Sequence, residues 1–244
     1  MKFKRLLVPF VVAFMMASMM PAVVSADEVA QSNEVAIVEV DAKDTNSPSN
    51  SPSNSPAVDS GKVGSLNWTL DGTGNLLITG KGSMGNFKSA PWRKYASKIK
   101  TVKIAAGATS IANYAFVQTT NLTSINIPSS VKTIGKSAFY KSGLKKVTGG
   151  AGLTSIGASA FSGCSNLSSA SFSSKKLSKI GAYAFKGTKV KTLKITKTTK
   201  LTKKGVKKSL KGSKLTKVDV KNSKKITYGV YFVKSNSGKK VTVK

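Results

Sequence analysis

Short stretches of alternating apolar and polar residues recur between residues 98 and 221, most often with the spacing L-x-x-L-x-L. Leu122, Ile125 and Ile127 give one example. Side chains alternate between the two faces of a β-strand, so this spacing predicts short strands whose apolar residues point into a core. The polar residues between them point outward and form the candidate binding face: Lys103, Ser124, Asn126, Lys146, Ser171, Lys194 and Asp219.

A second pattern, Ile followed by three residues and then Ala-Phe, occurs four times. The strings are IANYAF at 111–116, IGKSAF at 134–139, IGASAF at 156–161 and IGAYAF at 180–185, and their starts lie 23, 22 and 24 residues apart. A fixed period of this length is typical of a stacked solenoid. We expect each Ala to allow close packing and each Phe to stack on the Phe one coil away, forming one internal row.

A fifth unit, from Leu201 to Gly212, departs from this pattern. It aligns with the fourth unit if one residue is inserted, which places Leu210 at the Phe position and Ser209 at the Ala position. Terminal repeats are often atypical. The periodicity therefore predicts an α/β-type repeat solenoid, mostly β, with about five units in an array over residues 98–221.

Both ends of the array carry hairpin signals. In residues 61–97 the apolar positions alternate on either side of a DGTGN turn at 71–75, and residues 222–244 alternate around a Ser/Asn/Gly turn. The open end of a solenoid exposes its core, so capping segments are expected there. We predict an N-terminal β cap at 61–97 and a C-terminal β-hairpin cap at 222–244.

The N-terminal segment has a different character. Residues 1–26 combine a basic start, an apolar run from Leu6 and small residues at 24–26, the pattern of a cleaved signal peptide; an uncleaved membrane anchor is the alternative. Residues 27–60 contain the run SPSNSPSNSP at 47–56 and are predicted to be a disordered Ser/Pro/Asn linker. Glycosylation of this linker has no support in the sequence.

Charge is the outlier of the composition. Residues 61–244 contain 36 basic and two acidic residues, and residues 175–244 alone contain 23 lysines and one acid, Asp219. Such a chain attracts polyanions through bulk electrostatics. Nearly all the basic residues are lysines, and scarce arginine argues against bidentate recognition of phosphates or base edges.

The residue inventory argues against catalysis. The chain has no histidine, which removes the commonest general base and the usual Ser, Cys and zinc arrangements. Asp71 and Asp219 lie at opposite ends of the array, so a carboxylate pair is not expected. Cys164 is the single cysteine, which excludes an intrachain disulfide and suggests a small buried apolar residue. We predict no catalytic residue, no metal site and no cofactor.

The block LTSINIPSSVKTIGKSAFYKSG at 122–143 resembles the BspA-type leucine-rich repeat, whose units read L-x-x-L-x-L-P and then I-G-x-x-A-F. Residues 161–164, FSGC, are similar to that family's F-x-x-C ending, and GTGNLLITGKGSM with APW resembles the segment that often precedes such arrays. The strand-ending Pro is kept only at Pro128. The resemblance implies a curved coil with a parallel sheet on one face and a wall of short strands and turns on the other.

The resemblance also implies a secreted or surface protein that binds host proteins or other cells, and it does not imply an enzyme. Our hypothesis is a non-enzymatic binding or adhesion module whose Lys-rich C-terminal part attaches to anionic cell-wall polymers or sulfated glycans. The leader disfavours nucleic acid as the partner. No LPxTG-like sorting sequence is present, so we expect a secreted, extracellular protein, and any attachment to the cell wall is expected to be non-covalent or through the leader. The alternative is a structural or spacer protein of the envelope without a specific ligand.

Overall fold

A computed structural model of the chain describes residues 55–196, 200–220 and 242–243. The chain divides into two units, residues 1–50 and 51–244, and every described residue belongs to the second. The predicted signal peptide and the linker up to residue 54 therefore lie outside the described residues. Helical structure within the described ranges is limited to two 3-10 turns, Pro91–Tyr95 and Lys204–Val206.

The rest of the regular structure is β. The strands are β1 (Ala57–Val63), β2 (Leu66–Asp71), β3 (Asn75–Gly80), β4 (Thr101–Ile104), β5 (Ser110–Ile111), β6 (Ser124–Ile127), β7 (Thr133–Ile134), β8 (Lys146–Gly149), β9 (Ser155–Ile156), β10 (Ser169–Ser173), β11 (Lys179–Ile180), β12 (Thr192–Thr196), β13 (Lys217–Asp219) and β14 (Thr242–Val243). They form three sheets, and all pairings within the repeat array are parallel.

The N-terminal sheet has the order β1-β2-β3-β4. The predicted hairpin is confirmed: β2 and β3 pair antiparallel, and Asp71 holds their turn by accepting the backbone N–H groups of Thr73 and Asn75, each at 2.9 Å. Strand β3 then pairs in parallel with β4, the first strand of the array. The cap thus continues the array's own parallel pairing and protects its first edge.

The predicted boundary between linker and cap at residue 60 is wrong by four residues. Strand β1 begins at Ala57 and pairs antiparallel with β2 as the outer strand of the cap sheet. The Ser-Pro repeats end at Pro56, so every residue of β1 has a backbone N–H for strand pairing. Asp59 adds a contact to the 3-10 turn, because the Lys94 ammonium lies 3.0 Å from its carboxylate and the Tyr95 hydroxyl donates to it at 3.0 Å.

The array places one short strand per coil on each of two faces. The strand face is the sheet β6-β8-β10-β12-β13-β14, and the opposite side carries the two-residue strands β5-β7-β9-β11. The predicted C-terminal hairpin falls mostly outside the described residues. Thr242–Val243 is described, and it pairs in parallel with β13.

A row of stacked rings fills the interior of the array. Phe116, Phe139, Phe161 and Phe185 are fully buried, with successive centroids 5.2, 5.3 and 5.4 Å apart and planes within 18° of parallel. This confirms the predicted internal row. Trp92 of the cap extends it, stacking on Phe116 at 5.7 Å while its indole N–H donates to the Ala115 carbonyl at 2.8 Å.

The glycine of the Ile-Gly strings marks a close approach between coils. A Cβ on Gly157 would lie 2.5 Å from the carbonyl carbon of Gly135, and one on Gly181 would lie 2.4 Å from the Ala158 nitrogen. The first string has Ala112 at this position, and its neighbour is the flexible Met84, whose sulfur accepts the Ala112 N–H at 3.4 Å. The first string follows the cap and not another coil, and it reads IANYAF, whereas the next three begin with Ile-Gly.

The fifth coil continues the buried row with different residues. Leu210 and Ser209 are both fully buried, at the positions held by Phe185 and Ala184 one coil earlier, as the sequence alignment predicted. The Ser209 hydroxyl oxygen is buried without a hydrogen-bond partner among the described residues. An unsatisfied buried hydroxyl is destabilising.

We therefore expect Ser209→Ala to raise the free energy of unfolding by about 1 kcal/mol, because it removes this oxygen and restores the residue of the four preceding coils. Urea denaturation followed by far-UV circular dichroism measures the change. The control is Ser213→Ala, because the Ser213 hydroxyl donates to the Leu210 carbonyl at 2.7 Å and its removal should destabilise the coil. Equal effects of both substitutions would contradict the assignment.

Candidate functional site

The seven residues of the candidate binding face all lie on strands, and each has at least one buried neighbour in sequence. Lys103, Ser124, Asn126, Lys146 and Lys194 are exposed, and Ser171 and Asp219 are half-buried. Parallel register places them in rows that run across the sheet. One row contains Ser124, Lys146 and Ser169, and another contains Ser171, Lys194 and Asp219. Asn126 lies beside Thr148, and the Thr148 hydroxyl donates to its side chain at 3.3 Å.

Lys103 lies at a different edge of this face. Strand β4 belongs to the cap sheet, and Lys103 is in register with Leu77, an apolar side chain that is 41% exposed. The remaining six residues share the sheet that begins at β6. The structure therefore brings six of the seven together on one sheet, where short hydroxyl and amide side chains alternate with lysines.

Negative charge is scarce in the described residues and is used mainly in the cap. Asp59 pairs with Lys94; the hydrogen bond from Lys94 and then that from Tyr95 lower the pKa of Asp59, and the same contact raises the pKa of Lys94. Asp71 accepts the N–H groups of the β2–β3 turn. Asp219 is the acidic residue of the described array, and its register neighbour is Lys194. The lysines of the array thus have almost no carboxylates to offset their charge.

Arg93, the chain's arginine outside its first 26 residues, also has a structural position. The guanidinium of Arg93, in the first 3-10 turn, donates to the Val117 carbonyl and to the Gln118 side chain, both in the first coil. This contact fixes the cap to the array. Anion recognition by the described array consequently depends on lysine, which acts as a flexible point charge.

The side of the array that carries the turns forms a second surface, which the sequence did not predict. Each coil has two residues with a left-handed backbone, one before and one after its buried Phe or Leu. They are Tyr114 and Gln118 in the first coil and Ser159 and Gly163 in the third. Backbone bonds between coils follow them: the Ser159 N–H donates to the Ala182 carbonyl at 2.9 Å. We call this side of the array the turn wall. Most side chains at the two variable positions before Ala-Phe and at the position after Phe are exposed or half-buried on this wall, whereas Ser137 and Ser162 are buried.

The turn wall contains a groove of about 540 Å³. Its lining includes Tyr140, Ser159, Gly163, Tyr183, Lys186 and Lys211, which come from the second to the fifth coils. The signals in the sequence were Tyr183, at a variable position of the fourth string, and Tyr140, directly after the second string; these positions alone do not say which way the rings point.

Cys164 lies inside the array, as the sequence suggested. It is fully buried, its thiol donates to the Phe139 carbonyl at 2.9 Å, and the Ser142 hydroxyl lies 3.2 Å from its sulfur. Burial raises the pKa of the thiol from 9.0 to about 11. In the described residues no group of three His, Cys, Asp or Glu side chains is placed to hold a metal ion.

We expect Cys164 to be unreactive towards a thiol reagent in the folded protein at pH 8 and to react at once in denaturant. The raised pKa means that the folded protein loses stability relative to the unfolded chain as pH rises from about 9 to 11, because the unfolded thiol ionises first. A Cys164→Ser variant lacks this component, so subtracting its unfolding curve isolates it. Rapid labelling of the native protein at pH 8 would contradict the buried assignment.

No helix within the described ranges is long and apolar enough to cross a membrane.

Comparison with known proteins supports the repeat assignment. A family model described as the BspA type leucine rich repeat region matches residues 94–211 in six copies. The chain is similar to a leucine-rich repeat protein from Eubacterium ventriosum, with 25% identity and a TM-score of 0.53, over 66% of this chain and 43% of that protein. It is also similar to a leucine-rich repeat protein of T. pallidum, with 18% identity and a TM-score of 0.43, over 64% of this chain and 82% of the other. No curated protein matches the sequence.

The family model and the fold agree on the residues involved. The six matched copies extend from the 3-10 turn of the cap to the fifth coil, and they include every ring of the buried row from Phe116 to Phe185. The sequence estimate of about five units is close to this number. The repeat region of this chain, residues 94–211, is therefore a BspA-type leucine-rich repeat array.

Proposed function

We propose that this protein is a non-enzymatic binding and adhesion module that works outside the cell, secreted or at the cell surface. Its lysines, densest towards the C-terminal end, hold it to anionic cell-wall polymers or sulfated glycans. The proposal also includes surface proteins of host or neighbouring cells as partners of the strand face. Support comes from the repeat family, from the charge distribution and from the leader-like N-terminal sequence.

The fifth coil carries the proposal. Residues 200–220 contain eight lysines and one acidic residue, and seven of these lysines are exposed. Self-repulsion of this density favours a partner that supplies negative charge. Each lysine close to an anionic surface contributes about 1 kcal/mol, and the attraction weakens as salt screens it.

Fractionation of cells that express the full chain tests the attachment. Protein is collected from the medium, from a wash in about 1 M NaCl, where the Debye length is about 3 Å, and from the retained wall material. We expect most of the cell-associated protein to be released by salt. Retention in the wall fraction after this wash would contradict an electrostatic attachment.

A spacer protein without a specific ligand is the second candidate, favoured by the short polar side chains of the strand face. The two differ in selectivity: a spacer binds all polyanions alike and enriches no protein from a surface extract. Pull-down with the wild-type chain, compared with Lys194→Ser and Lys146→Ser variants, distinguishes them. Loss of an enriched protein in the variants supports a strand-face partner, whereas an unchanged background supports the spacer.

A further inference from the structure

The groove of the turn wall results from the choice of side chains in one coil. In the third coil two small residues line the groove, Ser159, which is half-buried, and Ser162, which is buried. The coil before it presents Tyr140, and the coil after it presents Tyr183. The groove therefore has a tyrosine ring on each side, and the small residues of the third coil, which include Gly163, form its base.

The groove also has a charged end. Lys186 and Lys211 line it from the fourth and fifth coils, and both are exposed. The ion pair between Asp59 and Lys94 lies in the cap, and none of the residues that line the groove is acidic. With coils about 4.8 Å apart, the span from the second coil to the fifth is roughly 15 Å.

The tyrosines are already engaged with cations at their ring faces. The Lys141 ammonium lies 5.4 Å from the Tyr140 ring centroid, and the Lys186 ammonium lies 5.8 Å from that of Tyr183. Both rings are half-buried. This arrangement holds lysines beside the groove and leaves the phenol hydroxyls and ring edges for contact with a ligand.

We propose that this groove binds a short segment of an acidic glycan, a sugar chain that carries sulfate or carboxylate groups. Sugar hydroxyls match the hydroxyls of Tyr140, Tyr183 and Ser159, which can both donate and accept hydrogen bonds. The anionic substituents match Lys186 and Lys211. The proposal rests on the proposed function, polyanion binding outside the cell, and adds a site and a ligand class to it.

Single-stranded nucleic acid is the competing ligand for a basic groove with aromatic rings. Its bases stack flat on exposed ring faces, whereas these rings are half-buried with lysines over their faces. Arginine, the usual partner for phosphate, is absent from the lining. The geometry therefore favours the hydroxyl-rich sugar over the stacked base.

The test removes the rings without changing charge. A Tyr140→Ser, Tyr183→Ser double variant of the full chain uses the residue already present at the same coil positions, Ser162 and Ser159. The control is Tyr114→Ser, since Tyr114 is 37% exposed at the same coil position as Tyr183 but lies outside the groove lining. Calorimetry measures binding to a heparin hexasaccharide, to polyphosphate and to single-stranded oligo-dT.

The double variant should bind the heparin hexasaccharide about tenfold more weakly, the loss expected for two aromatic contacts, while Tyr114→Ser and all polyphosphate affinities stay within twofold. If the double variant binds the hexasaccharide as tightly as the wild type does, the groove is not the glycan-binding site, and the proposed function is unaffected. If the double variant loses more affinity for oligo-dT than for the hexasaccharide, the groove is a nucleic-acid site, and the glycan proposal is wrong. Failure of the wild-type chain to bind either heparin or polyphosphate would instead overturn the proposed function.

Discussion

Replacing Phe139 by alanine is expected to lower the free energy of unfolding by about 4 kcal/mol, within the range for removing a fully buried ring. Phe139 is an inner ring of the row, with Phe116 at 5.2 Å on one side and Phe161 at 5.3 Å on the other. Each coil contacts only its neighbours in a solenoid, so a cavity here weakens the coupling between the two halves of the array. Urea denaturation measures the loss.

Phe139→Leu is the matched control, because Leu210 fills the same position in the fifth coil. It retains most of the apolar volume and should lose only about 1.5 kcal/mol. A loss below about 1 kcal/mol for Phe139→Ala would show that the ring does not fill the core as the structure places it.

Replacing Gly157 by alanine is expected to destabilise the protein by about 3 kcal/mol. The new Cβ would lie 2.5 Å from both the carbon and the oxygen of the Gly135 carbonyl and 2.6 Å from the Lys136 nitrogen. These are backbone atoms of the preceding coil, so no side chain can turn away to relieve the contact. Thermal and urea unfolding of the variant measure the cost of separating the two coils.

Gly187→Ala separates this close approach from backbone conformation. Gly187 has φ +71°, but the nearest atoms to its added Cβ lie 3.8 Å away. It should lose only about 1 kcal/mol, the cost of a left-handed alanine. Equal losses for Gly157→Ala and Gly187→Ala would contradict the close packing of the Ile-Gly strings.

The buried half of the molecule could be predicted from the sequence, because burial imposes a period. The spacing of apolar residues gave the outward and inward positions of the strands, and the Ala-Phe strings gave the stacked row. The substitution of Leu210 and Ser209 was also readable. Trp92 was placed before the first repeat but not in the row, since no periodic position marks a residue of the cap.

The surface half could not be predicted in the same way. The turn wall depends on left-handed residues, and five coils use Tyr, Gln, Ser or Lys at several of these positions instead of glycine, so no residue type marks them. The groove depends on two serines lying between two tyrosines that are far apart in sequence. The start of β1 at Ala57 was missed because this edge strand is held by backbone hydrogen bonds and has few apolar residues, so it shows no hydrophobic pattern.

The central claim is that the lysines at the C-terminal end of the array, and not the net charge of the chain, hold the protein to anionic polymers. Its most direct test compares two variants in which five exposed lysines are replaced by glutamine. One variant changes the C-terminal end of the array (Lys200, Lys203, Lys204, Lys207 and Lys214), and the other changes the cap and the segment between the cap and β4 (Lys62, Lys81, Lys88, Lys98 and Lys100). Both have the same net charge, and neither touches the groove lining.

The measurement is the affinity of each chain for heparin as NaCl rises from 0.05 M towards about 0.5 M, a range over which screening becomes severe. We predict a steep salt dependence for the wild type, a weaker affinity and shallower slope for the C-terminal variant, and a nearly wild-type slope for the cap variant. Equal slopes for the two variants, or binding by the wild type that salt does not weaken, would contradict the account.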